Sequence, residues 1–176
     1  MNAHDFLDMP IVSVAEGTKL GNVRDLLFDT SQIQLTALLI SGESGRSIIF
    51  VRDILSVGSD VITVEASSKM QPIEGNATLQ PLRNWRDISS LRVISIQGEW
   101  VGDIAHIDID PHSGAITAIS AQKGGVLGIG AKHTDIQPTM IRAFGPKVLT
   151  VELSETDDAT TSPSSPSDQP SESTAP

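Results

Sequence analysis

From Ile11 to Val151 the apolar residues come in short runs and not at helical spacing. IVSV (11–14), LTALLI (35–40), SIIFV (47–51), VITV (61–64), RVISI (92–96), IDID (107–110), ITAIS (116–120) and VLTVE (148–152) are rich in Val, Ile and Thr and are separated by Gly, Asp, Ser and Pro. Runs of this length and composition at roughly 8–12-residue spacing predict a small β-barrel or sandwich. Leu26 and Phe28 alternate with polar neighbours, as do Ile107 and Ile109, yet Val23 and Ile104 stand three residues earlier, off the two-residue period. A β-bulge in each strand would absorb that slip. LTALLI is apolar on both faces, so its outer face is expected to be covered.

The pattern occurs twice. MPIVSV (9–14) is answered by LRVISI (91–96), LGNVRDLLFD (20–29) by VGDIAHIDID (101–110), LTAL (35–38) by ITAI (116–119), and VITVE (61–65) by VLTVE (148–152). Asp53 and Ile54 are matched to Asp135 and Ile136 on the same grounds. A period of roughly 82 residues suits two copies of one small domain rather than a solenoid unit. The expected organisation is a first repeat at 1–70, a linker at 71–84, a second repeat at 85–153 and an acidic tail at 154–176. A domain this small buries only about 60% of its unfolded surface. The two copies should therefore stabilise each other, or the chain should dimerise, and the second copy is the natural cover for LTALLI. Gly17 and Gly21 in the first copy, Gly98 and Gly102 in the second, mark equivalent hairpins that need residues tolerant of positive φ.

Composition narrows the function. The net charge is −10, with 12 basic and 22 acidic residues, which repels phosphate backbones and anionic lipid and favours a protein partner, a basic one on charge grounds. With no Tyr, four Phe and two Trp there is little material for stacking nucleobases. The absence of cysteine removes disulfides and thiolate metal sites. His4, Asp5 and Asp8 interrupt any apolar leader, no segment reaches the about 20 apolar residues of a membrane span, and a cytoplasmic location is expected. From Ser154 onward there are four Pro, five acids and no Lys or Arg, the composition of a disordered tail.

The residues LGNVRDLLFD with LTALLI, and VGDIAHIDIDPHSGAITAIS with GGVLGIGAKHTDIQP, resemble the PRC-barrel family, the small β-barrel of the photosynthetic reaction-centre H subunit and of the ribosome-maturation factor RimM. The similarity spans about 6–65 and 85–153. It implies an all-β chain of two tandem barrels and a binding or assembly module with no shared catalytic residues. The H-subunit membrane helix and the N-terminal domain of the ribosome-maturation factor have no counterpart here.

Candidate chemistry is sparse. His106, Asp108 and Asp110 project from one face of a strand with His112 at the next turn, a legitimate metal-ligand set; ligands in line along one strand are nonetheless a poor cage, and a solvated face is the plainer expectation. Gly124, Gly125, Gly128 and Gly130 lack both the Walker lysine and the dinucleotide spacing, so a hairpin loop is expected in place of a phosphate cradle. No GxSxG elbow or activated nucleophile occurs, which points away from an enzyme, and no cofactor is implied. Trp85 and Trp100 are candidate interface anchors, Trp85 equally a plug for the second barrel. SGESGRS (41–47) is wholly polar, whereas its counterpart QKGGVLGIG (122–130) carries Val126, Leu127 and Ile129, which makes those three the leading partner-binding candidates together with Trp100. The expected function is a non-catalytic interaction scaffold. Its rivals are a ribosome-assembly factor that meets a basic ribosomal protein and a metal- or small-molecule-binding protein that uses His106 to His112.

Overall fold

In the computed structural model, which describes residues 1–43, 45–124 and 131–153, the chain is all-β. Its strands are β1 (Pro10–Ser13), β2 (Thr18–Asp29), β3 (Gln34–Gly42), β4 (Gly45–Phe50), β5 (Ile54–Val57), β6 (Ile62–Val64), β7 (Gln71–Pro72) and β8 (Arg83–Asn84). One turn of helix, α1 (Trp85–Ser89), precedes β9 (Arg92–Ser95), β10 (Trp100–Ile109), β11 (Ile116–Lys123), β12 (Lys132–Ile136), β13 (Ile141–Phe144) and β14 (Val148–Val151). The first sheet runs β5-β6-β1-β2-β3-β4-β7, with β8 also on β2; the second runs β12-β11-β10-β9-β14-β13. The strand order is thus the same in both repeats, read from opposite ends, down to the one parallel pair in each: β1 on β6, and β9 on β14.

The irregularities repeat as well. The register of β2 on β3 slips between Val23 and Asp25, and that of β10 on β11 between Ile104 and His106, the bulge that the displaced Val23 and Ile104 require. The slip brings Val23, Leu26 and Phe28, and likewise Ile107 and Ile109, onto the buried face. In each first hairpin a buried serine hydroxyl accepts a backbone N–H, Ser13 from Glu16 at 3.3 Å and Ser95 from Glu99 at 3.2 Å. Gly21 and Gly102 then cross the neighbouring strand so closely that a Cβ would stand 2.5 Å from the Ser41 carbonyl oxygen or 2.6 Å from that of Gln122.

Register corrects one sequence match. Leu39 pairs with Ile48 and Leu38 with Ile49, while Ser120 pairs with Asp135 and Ile119 with Ile136. Asp135 and Ile136 therefore correspond to Ile48 and Ile49, and not to Asp53 and Ile54; a single Asp-Ile dipeptide carries too little information to fix an alignment across loops of unequal length.

The repeats share a single core. One apolar cluster runs through Phe6, Leu26, Leu35, Leu38, Val93, Ile107, Ile116 and Leu149. At the junction Leu35 N–H donates to Gly114 O at 2.8 Å and Ile116 N–H to Ile33 O at 3.1 Å around a bridge between Gln34 and Ala115. These residues are mutual counterparts, Ile33 of Gly114 and Leu35 of Ile116, so the contact is a local two-fold. The segments that enter each repeat are exchanged across it: Arg83 and Asn84 pair with Phe28 and Leu27 of the first repeat, while Asn2 bridges Asp108 and Met1 O accepts from Ile109 N–H of the second.

The cover over LTALLI differs from expectation. Leu35, Leu38 and Ile40 face the shared core, but Ala37 and Leu39 join Ile48 and Phe50 in a second cluster closed by Leu27, Ile73 and Leu79. The inter-repeat segment covers the outer face, and the companion repeat does not. The acidic tail lies outside the described residues.

Candidate interaction surfaces

The strand-face histidine site resolves into local contacts. Ile107 and Ile109 point inward, which leaves His106 and Asp108 on the exposed face. Nδ1 of His106 lies 3.2 Å from the Asn2 side-chain amide, so it meets the exchanged N-terminal arm. The same site in the first repeat, Asp25, accepts the Trp85 N–H at 3.1 Å from the other arm. Asp110 is committed to its turn, where Oδ1 accepts from His112 N–H at 3.1 Å and Oδ2 from the Ser113 hydroxyl at 2.7 Å. The hydroxyl bond chiefly, with the His112 N–H, holds the Asp110 carboxyl below its ordinary value. Asp29 does the same work in the first repeat, its carboxyl lowered chiefly by the Ser31 hydroxyl at 2.6 Å. No group of three or more His, Cys, Asp or Glu converges among the described residues.

Trp85 belongs to the inter-repeat seam. It is half-buried against the shared core, with its ring centroid 6.2 Å from that of Phe28 of the first repeat. Trp100 is different. It is 43% exposed at the start of β10, takes the place of Lys19, and lies under Lys123, whose Nζ is 5.3 Å from the ring centroid and 2.8 Å from the Trp100 carbonyl oxygen. The cation–π contact holds the aromatic face at the surface.

Lys123 ends β11, and here the repeats diverge most. Glu43 and Ser44 alone link β3 to β4, but residues 124–131 link β11 to β12. Val126, Leu127 and Ile129 lie in that link, outside the described residues. The edges beside it diverge too. In the first repeat β4 is closed by β7, Ser47 on Pro72 and Ile48 on Gln71; among the described residues β12 pairs with β11 only. Sequence comparison of the two hairpins finds the loop, but the open edge carries no sequence mark of its own. Other exposed large apolar residues are Val14 and its counterpart Ile96 at the hairpin ends, and Leu55 where the second repeat has Arg142 bound to Glu152.

The PRC-barrel domain family matches residues 1–71. Residues 1–71 carry a PRC-barrel domain. PRC-barrel domains are in general non-catalytic, and the matched span ends at the β7 strand that closes the first repeat. The second repeat has the same strand order and the same bulges without falling inside the matched span. No curated protein matches the chain. No helix among the described residues is long and apolar enough to cross a membrane.

Proposed function

We propose that this protein is a non-catalytic interaction scaffold in which the two PRC-barrel-like repeats have divided their duties. The first repeat and the inter-repeat segment close on themselves, and the second presents the partner-binding surface. The observation that carries this reading is the contrast at one position of a shared fold: Lys19 in the first repeat, exposed Trp100 packed under Lys123 in the second, beside the long 124–131 link and an edge strand. A surface aromatic held in place by its own neighbour gives large contact area at low ordering cost, the property of an interface anchor. Val126, Leu127 and Ile129, in the link that follows Lys123, are apolar candidates for the same contact. A net charge of −10 steers a basic protein partner toward it and disfavours nucleic acid.

Affinity capture with the full-length protein tests the assignment. Trp100→Ala and Leu127→Asp should each lose the partner retained by the unchanged chain while melting within about 4 °C of it, and raised salt should weaken capture of the unchanged chain because steering is screened. Retention of the partner by both variants would move the function elsewhere on the molecule.

A further inference from the structure

The first repeat contains a template for what the open edge of the second accepts. After β6 the chain makes a 3-10 turn at Ser67–Lys69 and then lays Gln71 and Pro72 antiparallel on Ile48 and Ser47 of β4. Met70 enters just ahead of this short strand, half-buried against the shared core, with its sulfur 3.5 Å from the Ser47 hydroxyl. The segment is fastened at its root twice. The Glu16 carboxylate accepts from the Ser67 N–H and hydroxyl at 3.0–3.2 Å, and Lys69 pairs with Asp53 at 3.5 Å.

The second repeat keeps the receiving edge and has lost the fastenings. Thr134 and Asp135 of β12 correspond to Ser47 and Ile48 and, among the described residues, have a ladder partner on the β11 side alone. Gln97 stands where the first repeat has Ala15 and Glu16, and Met140 stands in the place of Asp53. Counting on from Val151 as from Val64, the residue in the place of Met70 is Asp157, and no methionine follows Leu153 anywhere in the sequence. In sequence, the second repeat therefore lacks the counterparts of Glu16, Asp53 and Met70 that fasten and seat the closing segment of the first.

We propose that β12 is a strand-addition site for an extended segment of a partner protein, which pairs antiparallel with Thr134 and Asp135 and seats one unbranched apolar side chain beside Thr134 as Met70 sits beside Ser47. The proposal rests on the reading of the second repeat as the binding half and names the form the partner takes. Backbone pairing supplies affinity in this mode, and the seated side chain supplies selectivity. Polar His133 and charged Asp135 along the strand protect it from indiscriminate edge pairing. The overall −10 charge favours basic residues flanking the inserted segment.

The absence of cysteine allows a clean test on the full chain. Thr134→Cys places one thiol on this edge, and Ala143→Cys places one on β13, at the opposite edge of the same sheet. The probe is a synthetic peptide of the Ser67–Ile73 sequence with cysteine in place of Pro72. Cross-strand Cα pairs about 4.5–5.5 Å apart fall within disulfide reach, so the template register puts the two sulfurs together. Disulfide formation should be at least tenfold faster at position 134 than at 143, and a peptide with Asp in place of Met70 should fall to the rate at 143. Equal rates at the two edges would overturn the proposal. So would a disulfide between two copies of the Thr134→Cys chain that outruns the peptide, which assigns the edge to self-association. Peptide coupling that appears only after truncation at Leu153 would overturn it in favour of the chain's own tail. None of these outcomes depends on Trp100, so the strand-addition mode and the binding-half assignment fail separately.

Discussion

Ile48 and Asp135 occupy the same place in two copies of one sheet, and the neighbours they require are opposite. Around Ile48 the outer face is Ala37, Leu39 and Phe50, fully or nearly buried, and the inter-repeat segment brings Ile73 and Leu79 to cover it. Around Asp135 the same face carries Ala118 and Ser120, side chains that require no apolar cover. An apolar outer face obliges a repeat to recruit a cover, and the strand that brings the cover also closes the sheet edge. A polar outer face removes the obligation and leaves the edge to other uses. The contrast between the two outer faces thus follows from a few side chains on two strands, while the inner faces, bulges and hairpin glycines stay common.

The largest effect should come from exchanging these faces. Ile48→Asp buries a carboxylate with no partner in the apolar second cluster and should cost roughly 4 kcal/mol or prevent folding. Asp135→Ile, the reciprocal change on a solvated face, should shift stability by no more than about 0.5 kcal/mol. Chemical denaturation of the two variants compares them directly, and similar losses would show that the faces are equivalent after all.

The glycines sharpen the comparison at the junction. Gly114 has φ of 76° and lies so close to the Leu35 carbonyl that an added Cβ would overlap it, so Gly114→Ala should cost about 3 kcal/mol and loosen the inter-repeat bridge. Gly17 has φ of 63° but nothing within 4 Å; Gly17→Ala should cost only about 1 kcal/mol of backbone strain. Hydrogen exchange at Leu35 and Ile116 amides distinguishes a junction effect from a local one. The counterpart of Gly114 is Ile33, held at φ of 53°, an uncommon state for a β-branched residue that its packing on the shared core sustains.

A smaller effect tests the common turn. The Ser31 hydroxyl is the main reason that the Asp29 carboxyl lies below its ordinary value near 3.8. A folded-state value that is depressed contributes stability fully present above the unfolded value and lost as pH falls through the folded one. Ser31→Ala should therefore cost about 1 kcal/mol at pH 6, the usual net worth of one hydrogen bond, and progressively less below about pH 4. Ser113→Ala should show the same sign and pH course at Asp110. A cost that grows on acidification in either variant would contradict the assignment.

A small effect is also expected at Trp100. Its exposure and its single cation–π contact limit the loss from Trp100→Ala to about 0.5–1 kcal/mol. A larger loss would mean that Trp100 is part of the second repeat's core, and the contrast with Lys19 would cease to be a contrast of surfaces.

Much of the fold was legible residue by residue. Alternation located the strands, the off-period Val23 and Ile104 located the bulges, and the glycine pairs located the hairpins, because each is a local demand of a pleated chain on its own side chains. The sequence comparison of the two hairpins also found the long link after Lys123. It misplaced Asp53 against Asp135, and it gave Ala37 and Leu39 the wrong cover. Composition alone decided the net charge and the lack of disulfides, and the order of residues showed the duplication. Tertiary structure alone decided that Arg83–Asn84 and Met1–Asn2 cross to the opposite repeat, that Trp85 packs against Phe28 at the seam, and that, among the described residues, β12 differs from β4 at its outer edge. An apolar stripe states that it must be buried without naming its partner, since burial is non-directional, and a strand edge is defined only by what lies beside it. Those choices are made between residues far apart in the chain, where local pattern carries no information.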